Sequence, residues 1–239
     1  MNIIDLTMPL YEGMVGHPSH PDGPKLLSGT LSHRFTRHLM AKTARFGQAS
    51  FQNEQFVLHG HCGTHLDAPY HADPEGVTIE SVPVEYTCGP AIWLDVSGRC
   101  GPGEVVTADD LERGLAAAES EMAPIVLLHT GWGGVYAEDP KRYYRYGMGI
   151  SEDGSDWLRN HRVLNVGIDS PTVDPHTSVD CPAHMNLLRV LGYGWFCCVM
   201  ENLIGIDRIP THRFFFVGAP LHLKGVSGSP IRALAVCDV

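Results

Sequence analysis

Residues 61 to 71 read His61-Cys62-Gly63-Thr64-His65-Leu66-Asp67-Ala68-Pro69-Tyr70-His71, which places three imidazoles and a carboxylate within eleven residues. On an extended backbone alternate side chains share a face, so the odd-numbered His61, His65, Asp67 and His71 would project to one side. A helix would also align His61 with His65, but Gly63 and Pro69 disfavour a continuous helix. The expectation is therefore an extended or irregular segment. Two imidazoles and a carboxylate suit zinc, manganese or ferrous iron, because each donates a lone pair while positions stay open for water or substrate. Gly63 permits close backbone approach and the Thr64 hydroxyl can orient a ligand. His71 lies further along the face as a ligand or an acid/base group. Cys62 faces the other way and reads as packing.

A second constellation lies downstream, where Asp169-Ser170-Pro171-Thr172-Val173-Asp174 leads into Pro182-Ala183-His184, and Glu201-Asn202-Leu203 follows an apolar run. His184 reads equally as a helix N-terminal group or a ligand, and Glu201 as a solvated strand end or a ligand; spacing does not choose. Gly225-Val226-Ser227-Gly228-Ser229 approaches the G-x-S-x-G turn of serine nucleophiles, but Ser stands where the last Gly belongs and no strand-to-helix elbow surrounds it. It reads as a turn lining a pocket. Phe51, Phe56, Tyr70, Trp132 and Trp195 are candidate walls for an aromatic or cyclic small-molecule substrate.

The elements that must position these groups mix helix and strand throughout. Strand candidates are 3–6, 51–58, 91–96, 125–128, 163–168, 195–200, 214–217 and 231–236, with a Gly/His/Pro-rich loop at 13–24. Thr107 and Asp110 form a capping-box-like start, and Leu111, Leu115, Ala118 and Met122 follow on one helical stripe toward Ala123-Pro124. Thr130 to Gly134 reads as a Gly-rich turn and 169–181 as a loop. Residues 151–161 are helical, and Pro182 at a first helical position opens a helix over 183–191. The pattern predicts an α/β (mixed α+β) fold: one domain over 1–239, with a mixed sheet or barrel flanked by helices.

The chain has 239 residues, 44% hydrophobic and 18% charged, enough for a sizeable core. A net charge of −10 disfavours nucleic acid and anionic membrane surfaces as partners. No basic leader or long apolar run appears, so a cytoplasmic protein is expected. Seven Cys without paired C-x-x-C spacing, two of them adjacent at Cys197-Cys198, read as reduced core thiols.

The segment from His61 to His71 matches H-x-G-T-H-x-D-x-P-x-H at all seven fixed positions, and in this the chain resembles the cyclase family that contains bacterial kynurenine formamidase (arylformamidase) and isatin hydrolase. Ile4 to Leu10, Val126 to Trp132, Gly167 to Pro171, Pro182-Ala183-His184 and Glu201-Asn202-Leu203 extend the similarity. The resemblance implies that His61, His65 and Asp67 bind a catalytic divalent metal, Mn2+ or Zn2+, that His184 and Glu201 complete a second or shared metal site, and that His71 assists catalysis. It also implies a swivelling β/β/α-type fold and a homodimer or homotetramer. Two departures stand out. Gly16-His17-Pro18-Ser19-His20-Pro21 replaces the Trp-Pro-Gly-like turn of many members, and the stretch from His184 to Glu201 is longer than in the formamidases.

The expected chemistry is hydrolysis of an amide-type or lactone carbonyl, a cyclic amide such as isatin or an N-formyl aryl amide, by metal-activated water with His71 moving the protons. Arylformamidase proper, acting on N-formylkynurenine, is the near alternative. From another class, His61, His65 and Asp67 also suit the facial triad of a ferrous-iron oxygenase. A non-catalytic metal-binding protein is a third reading.

Overall fold

The computed structural model describes residues 1–18, 23–26, 56–99, 101–192 and 194–238. Its strands are β1 (Asn2–Asp5), β2 (Lys25–Leu26), β3 (Phe56–Val57), β4 (His65–Asp67), β5 (Cys88–Asp95), β6 (Val105–Val106), β7 (Ile125–His129), β8 (Gly149–Ile150), β9 (Asn165–Ile168), β10 (Cys198–Glu201), β11 (Arg213–Val217), β12 (Gly228–Pro230) and β13 (Leu234–Cys237). Among the described residues nine of them form one sheet in the order β1-β13-β11-β5-β7-β9-β10-β4-β12. The central β5, β7, β9 and β10 run parallel, and antiparallel strands extend the sheet on both sides.

The uninterrupted apolar run of β7 follows from burial on both faces. Ile125 and Leu127 pack with Leu66, Ala91, Met200 and Phe216 on one face; Val126 and Leu128 pack with Leu94, Val166, Ile168 and the helices on the other. The sheet also curls into a half-barrel. Thr7, just past β1, bridges Leu203, just past β10, although five strands separate β1 from β10 in the sheet order. The expected mixed α+β fold with helices around a mixed sheet is the observed one.

The helices are α1 (Ala108–Ala117), α2 (Gly133–Glu138), α3 (Pro140–Arg145), α4 (Glu152–Asn160) and α5 (Pro182–Leu188). α1 carries the expected box: Thr107 Oγ1 accepts from Asp110 N at 3.3 Å and Asp110 Oδ2 accepts from Thr107 N at 2.9 Å. It stops short of the apolar stripe because Glu119 takes φ 46, a left-handed conformation that ends a helix. α2 and α3 correct the expectation of a turn after Gly131. The Asp139 side chain accepts from Arg142 N at 3.0 Å and Pro140 occupies the first turn, so the second of these helices has its own cap. α5 ends at Leu188 rather than Leu191, and β10 begins at Cys198 rather than Trp195.

Cys197 and Cys198 are fully buried, and all six cysteines among the described residues are free. No helix of the described residues is long and apolar enough to cross a membrane. Phe51 and His20 lie outside the described residues, as does most of the strand expected over 51–58.

Candidate metal centre

β4 is extended, so His65 and Asp67 share one face while Leu66 turns into the core. In the antiparallel pair Glu201 of β10 stands directly opposite His65, which puts both side chains on the same face. His65 Nε2 lies 3.3 Å from Asp67 Oδ1 and 3.5 Å from Glu201 Oε2. The eleven-residue alternation expected from the sequence covers only this strand. Gly63 takes φ +60 and folds the chain before β4, where a Cβ would stand 2.4 Å from Leu10 Cδ2.

His61 reaches the same face by that turn, with Nδ1 2.6 Å from Asp67 Oδ1 and Nε2 3.0 Å from Ser227 Oγ. Past the strand, Pro69 opens a 3-10 turn over Pro69–His71 that brings the His71 ring back over His61, their centroids 4.1 Å apart. The first turn of α5 delivers His184, whose Nε2 is 3.2 Å from Glu201 Oε1 and 3.5 Å from Asp67 Oδ2. His61, His65, Asp67, His71, His184 and Glu201 are thus brought together, and a resemblance over more than a hundred residues, not spacing, is what linked the last two to the first four.

The rings are oriented from behind. A carbonyl only accepts, so His65 Nδ1 donates to Gly63 O at 2.8 Å and turns Nε2 toward the carboxylates. Thr64 Oγ1 donates to Asn202 O at 2.6 Å and accepts from Met8 N at 2.8 Å, which ties the motif to the chain just past Glu201. Glu201 Oε1 accepts from Val173 N at 2.8 Å.

Burial alone would raise the Asp67 carboxyl, but the facing His65, His184 and His61 rings hold it well below the usual carboxylate range. Burial opposes charge on His65 too, yet Asp67 and Glu201 carry it up to about 9. His184 is buried and still lies well above the ordinary imidazole range because Asp174, Asp67 and Glu201 surround it. His71 departs the other way. Though part of its ring is open to solvent, burial against neighbouring atoms, with His61 and His184 nearby, outweighs the pull of the carboxylates and lowers it.

These directions describe a cluster that seeks positive charge. Asp67 Oδ2 is buried without a hydrogen-bond partner, the condition of an oxygen built to meet a cation. Two ligand sets share Asp67, namely His61/Asp67/His71 and His65/Asp67/Glu201, and within each the donor atoms lie within 4.8 Å of one another. Imidazole and carboxylate donors without thiolate fit a divalent metal such as zinc or manganese.

The described residues enclose a cavity of about 300 Å3 at this cluster. Its walls include His17, Ala72, Pro171, Thr172, Cys181, Met185 and Asn202, none of them among the expected substrate contacts. His17 comes from the departing Gly16-His17-Pro18 turn, so that segment does shape the pocket. Tyr70 is 41% exposed and lines a separate open recess beside His71 and Ser227. Trp132 and Trp195 both belong to the core, and neither lines this cavity. Trp132 is 1% exposed and its Nε1 donates to Tyr143 O at 3.1 Å, so its bulk is spent on packing helices α2 and α3 against the sheet.

Comparison with known proteins follows the same line. The family model described as putative cyclase matches residues 4–175. The kynurenine formamidase of Paracidovorax citrulli is 31% identical over 179 residues, 74% of this chain and 76% of that protein. Isatin hydrolase A of Labrenzia aggregata, solved bound to benzyl benzoate, superposes with a TM-score of 0.74 at 25% identity, over 98% of this chain and 93% of that one. A structure described as a potential metal-dependent hydrolase with cyclase activity gives a TM-score of 0.71 at 25% identity, over 98% and 96%.

Proposed function

The chain belongs to the cyclase family, and on that premise we propose that it is a metal-dependent hydrolase of non-peptide C–N bonds, opening a cyclic amide or cleaving an N-formyl aryl amide. The observation that carries this is the convergence of His61, His65, His71, His184 and Glu201 on a buried Asp67 whose Oδ2 has no hydrogen-bond partner. A divalent cation held by His61, His65, Asp67, His184 and Glu201 would supply Lewis acidity toward a carbonyl oxygen and make water acidic near neutral pH.

The chain's own groups provide the rest. Asp67, with His65 and Glu201 opposite each other across two strands, forms a rigid floor. The His71 ring stands at the cavity wall, 4.1 Å from the His61 ring and 5.5 Å from the His184 ring. Its lowered pKa keeps it neutral near pH 7, so it takes a proton from the attacking water and returns one to the leaving nitrogen. The apolar side chains of Ala72, Pro171 and Met185 limit water around the bond being broken. A cavity of about 300 Å3 is at the small end for ligand sites and favours a compact, single- or bicyclic substrate.

Mn2+ or Zn2+ suits the donor set, and the six cysteines among the described residues, all free, suit the reducing cytoplasm. Assembly as a homodimer or homotetramer is part of the same reading. The test is metal analysis of the purified chain, followed by hydrolysis of isatin, N-formylkynurenine and small lactones with that metal under argon. His71→Ala is expected to retain the metal and lose turnover by about 10²- to 10⁴-fold. Activity that survives full chelation would refute the proposal, and strict dependence on oxygen and ferrous iron would replace it with an oxygenase.

One observation favours a second reading. Ser227 Oγ, His61 and Asp67 stand in line at 3.0 and 2.6 Å, the connectivity of a serine nucleophile, its base and an orienting carboxylate. That reading leaves His65, His184 and Glu201 without a role. Ser227→Ala separates the two, since a nucleophile's loss abolishes turnover while a neighbour of His61 lowers it modestly.

A further inference from the structure

α5 has no cap of its own. Its N-cap residue, Cys181, sits at φ 47 and makes no side-chain capping bond. The amides of the first turn, which have no partner within the helix, are met instead by Asp174, eight residues before the helix. Its Oδ1 accepts from Ala183 N at 2.7 Å and its Oδ2 from His184 N at 3.2 Å. The same Oδ2 stands 2.5 Å from His184 Nδ1. Asp174 is 3% exposed; the sequence places it in the run that leads into His184 without giving it a role.

We propose that Asp174 is a positioning residue that fixes the ring and tautomer of His184 so that Nε2, facing Asp67 and Glu201, is the atom offered to a divalent metal. The inference rests on the metal-hydrolase reading above and deepens it. An ionised carboxylate only accepts, so the Nδ1 facing it must carry hydrogen, and in the neutral ring the lone pair then belongs to Nε2. Nε2 is the nitrogen 3.2 Å from Glu201 Oε1 and 3.5 Å from Asp67 Oδ2.

The neighbouring residue does the corresponding work for Glu201. Val173 N donates to Glu201 Oε1, while Val173 O accepts from Ile150 N at 2.6 Å, which anchors the segment to β8. Gly149 of β8 has room for nothing larger: a Cβ there would stand 2.1 Å from Pro175 N. Residues 173 and 174 therefore form one clamp. Its backbone aims Glu201 from β10 and its carboxylate aims His184 from α5, two groups 17 residues apart in sequence on different elements.

The experiment uses the full chain stripped of metal and titrated with Zn2+ and Mn2+ against a chromophoric chelator. Asp174→Asn keeps the shape and one acceptor for the helix amides, but its NH2 faces Nδ1 and favours the tautomer with hydrogen on Nε2. Metal affinity is expected to fall by about 10- to 100-fold, and the loss is expected to disappear in a His184→Ala background because the two residues act through one contact. A role limited to capping α5 would lower thermal stability and leave the affinity of the folded chain unchanged, which overturns the inference, as does a loss fully additive with His184→Ala. Long-range 1H–15N spectra of the zinc-loaded wild type require no variant. A proton retained on His184 Nδ1 supports the assignment and a proton on Nε2 overturns it. A wild type that binds neither metal overturns the metal reading itself, a result distinct from a metal-binding wild type matched by Asp174→Asn.

Discussion

Gly228 in β12 lies under the His61 ring, and replacing it with alanine tests whether the position of that ring sets the rate. A Cβ at residue 228 would stand 2.4 Å from His61 Cε1, 2.8 Å from Nδ1 and 2.9 Å from Nε2. Ordinary contact begins near 3.4 Å, so the ring must retreat by about 1 Å. A free histidine would do so at little cost. His61 is held at both nitrogens, by Asp67 at 2.6 Å and Ser227 at 3.0 Å, so retreat breaks at least one of these bonds and moves a ring that shares Asp67 with His65 and His184. Misplacement by about 1 Å costs on the order of 100-fold in rate, or about 2.7 kcal/mol of transition-state stabilisation. Residue 228 is not in a left-handed conformation, so alanine adds no backbone strain. Losing one net hydrogen bond of about 1 kcal/mol lowers the melting temperature by about 2–4 °C in a chain of this size. Gly228→Ala should therefore reduce kcat/KM about 100-fold with the fold intact by circular dichroism. Gly98→Ala, where a Cβ meets nothing within 4 Å, should change neither quantity. A Gly228→Ala enzyme with wild-type kcat/KM and metal content would show that His61 is not where the chemistry depends on it.

Metal loading is expected to raise the melting temperature of the stripped chain. At 100 times the dissociation constant, binding adds about 2.7 kcal/mol, worth roughly 5–10 °C here, and a flat differential scan with added Zn2+ and Mn2+ would contradict the site. Away from the centre, His129 Nδ1 stands 3.2 Å from Asp169 Oδ2, near enough for an ion pair but off the line of a good hydrogen bond. Asp169, aided by Asp95 and Asp207 and opposed by burial, raises its pKa. A raised folded pKa contributes stability that is fully present below the unfolded value of about 6.5 and is lost as pH rises through the folded value. The stability gap between wild type and His129→Gln should accordingly be widest near pH 5.5 and narrow above about pH 6.5, measured from urea midpoints at fixed metal. A gap that stays constant or widens with pH would rule this pair out.

The legible parts of this chain are those governed by local rules. The run at residues 125–128 announced a strand buried on both faces, and Thr107 with Asp110 announced the start of α1 because both partners of a capping box lie within one turn. The metal motif was legible for a related reason: its donors are close in sequence, so composition alone drew attention to them. Its geometry was not. Strand alternation places His65 and Asp67, but a left-handed Gly63 places His61 and a 3-10 turn begun by Pro69 places His71. A period-two reading gathered side chains that the fold does bring together, but through a backbone path that the chain does not take.

What sequence reasoning missed is long-range. Asp174 acts on His184 only because the chain between them loops back onto the first turn of α5, and no periodicity records that return. Two of the aromatic residues illustrate the opposite case. Trp132 and Trp195 suggested pocket walls because large rings suit aromatic ligands, yet the core needs large rings as well, and both were used there. The cavity is lined instead by small, imidazole and sulfur-bearing groups, Ala72, His17, Cys181 and Met185, whose types carry no signal until the fold assembles them. A strand register puts Glu201 opposite His65, and the same register places Asp67 opposite Gly228 on the other side of β4. One short strand therefore fixes both the carboxylate that faces the imidazoles and the glycine that leaves room for His61, which is why a methyl group at residue 228 meets the His61 ring first.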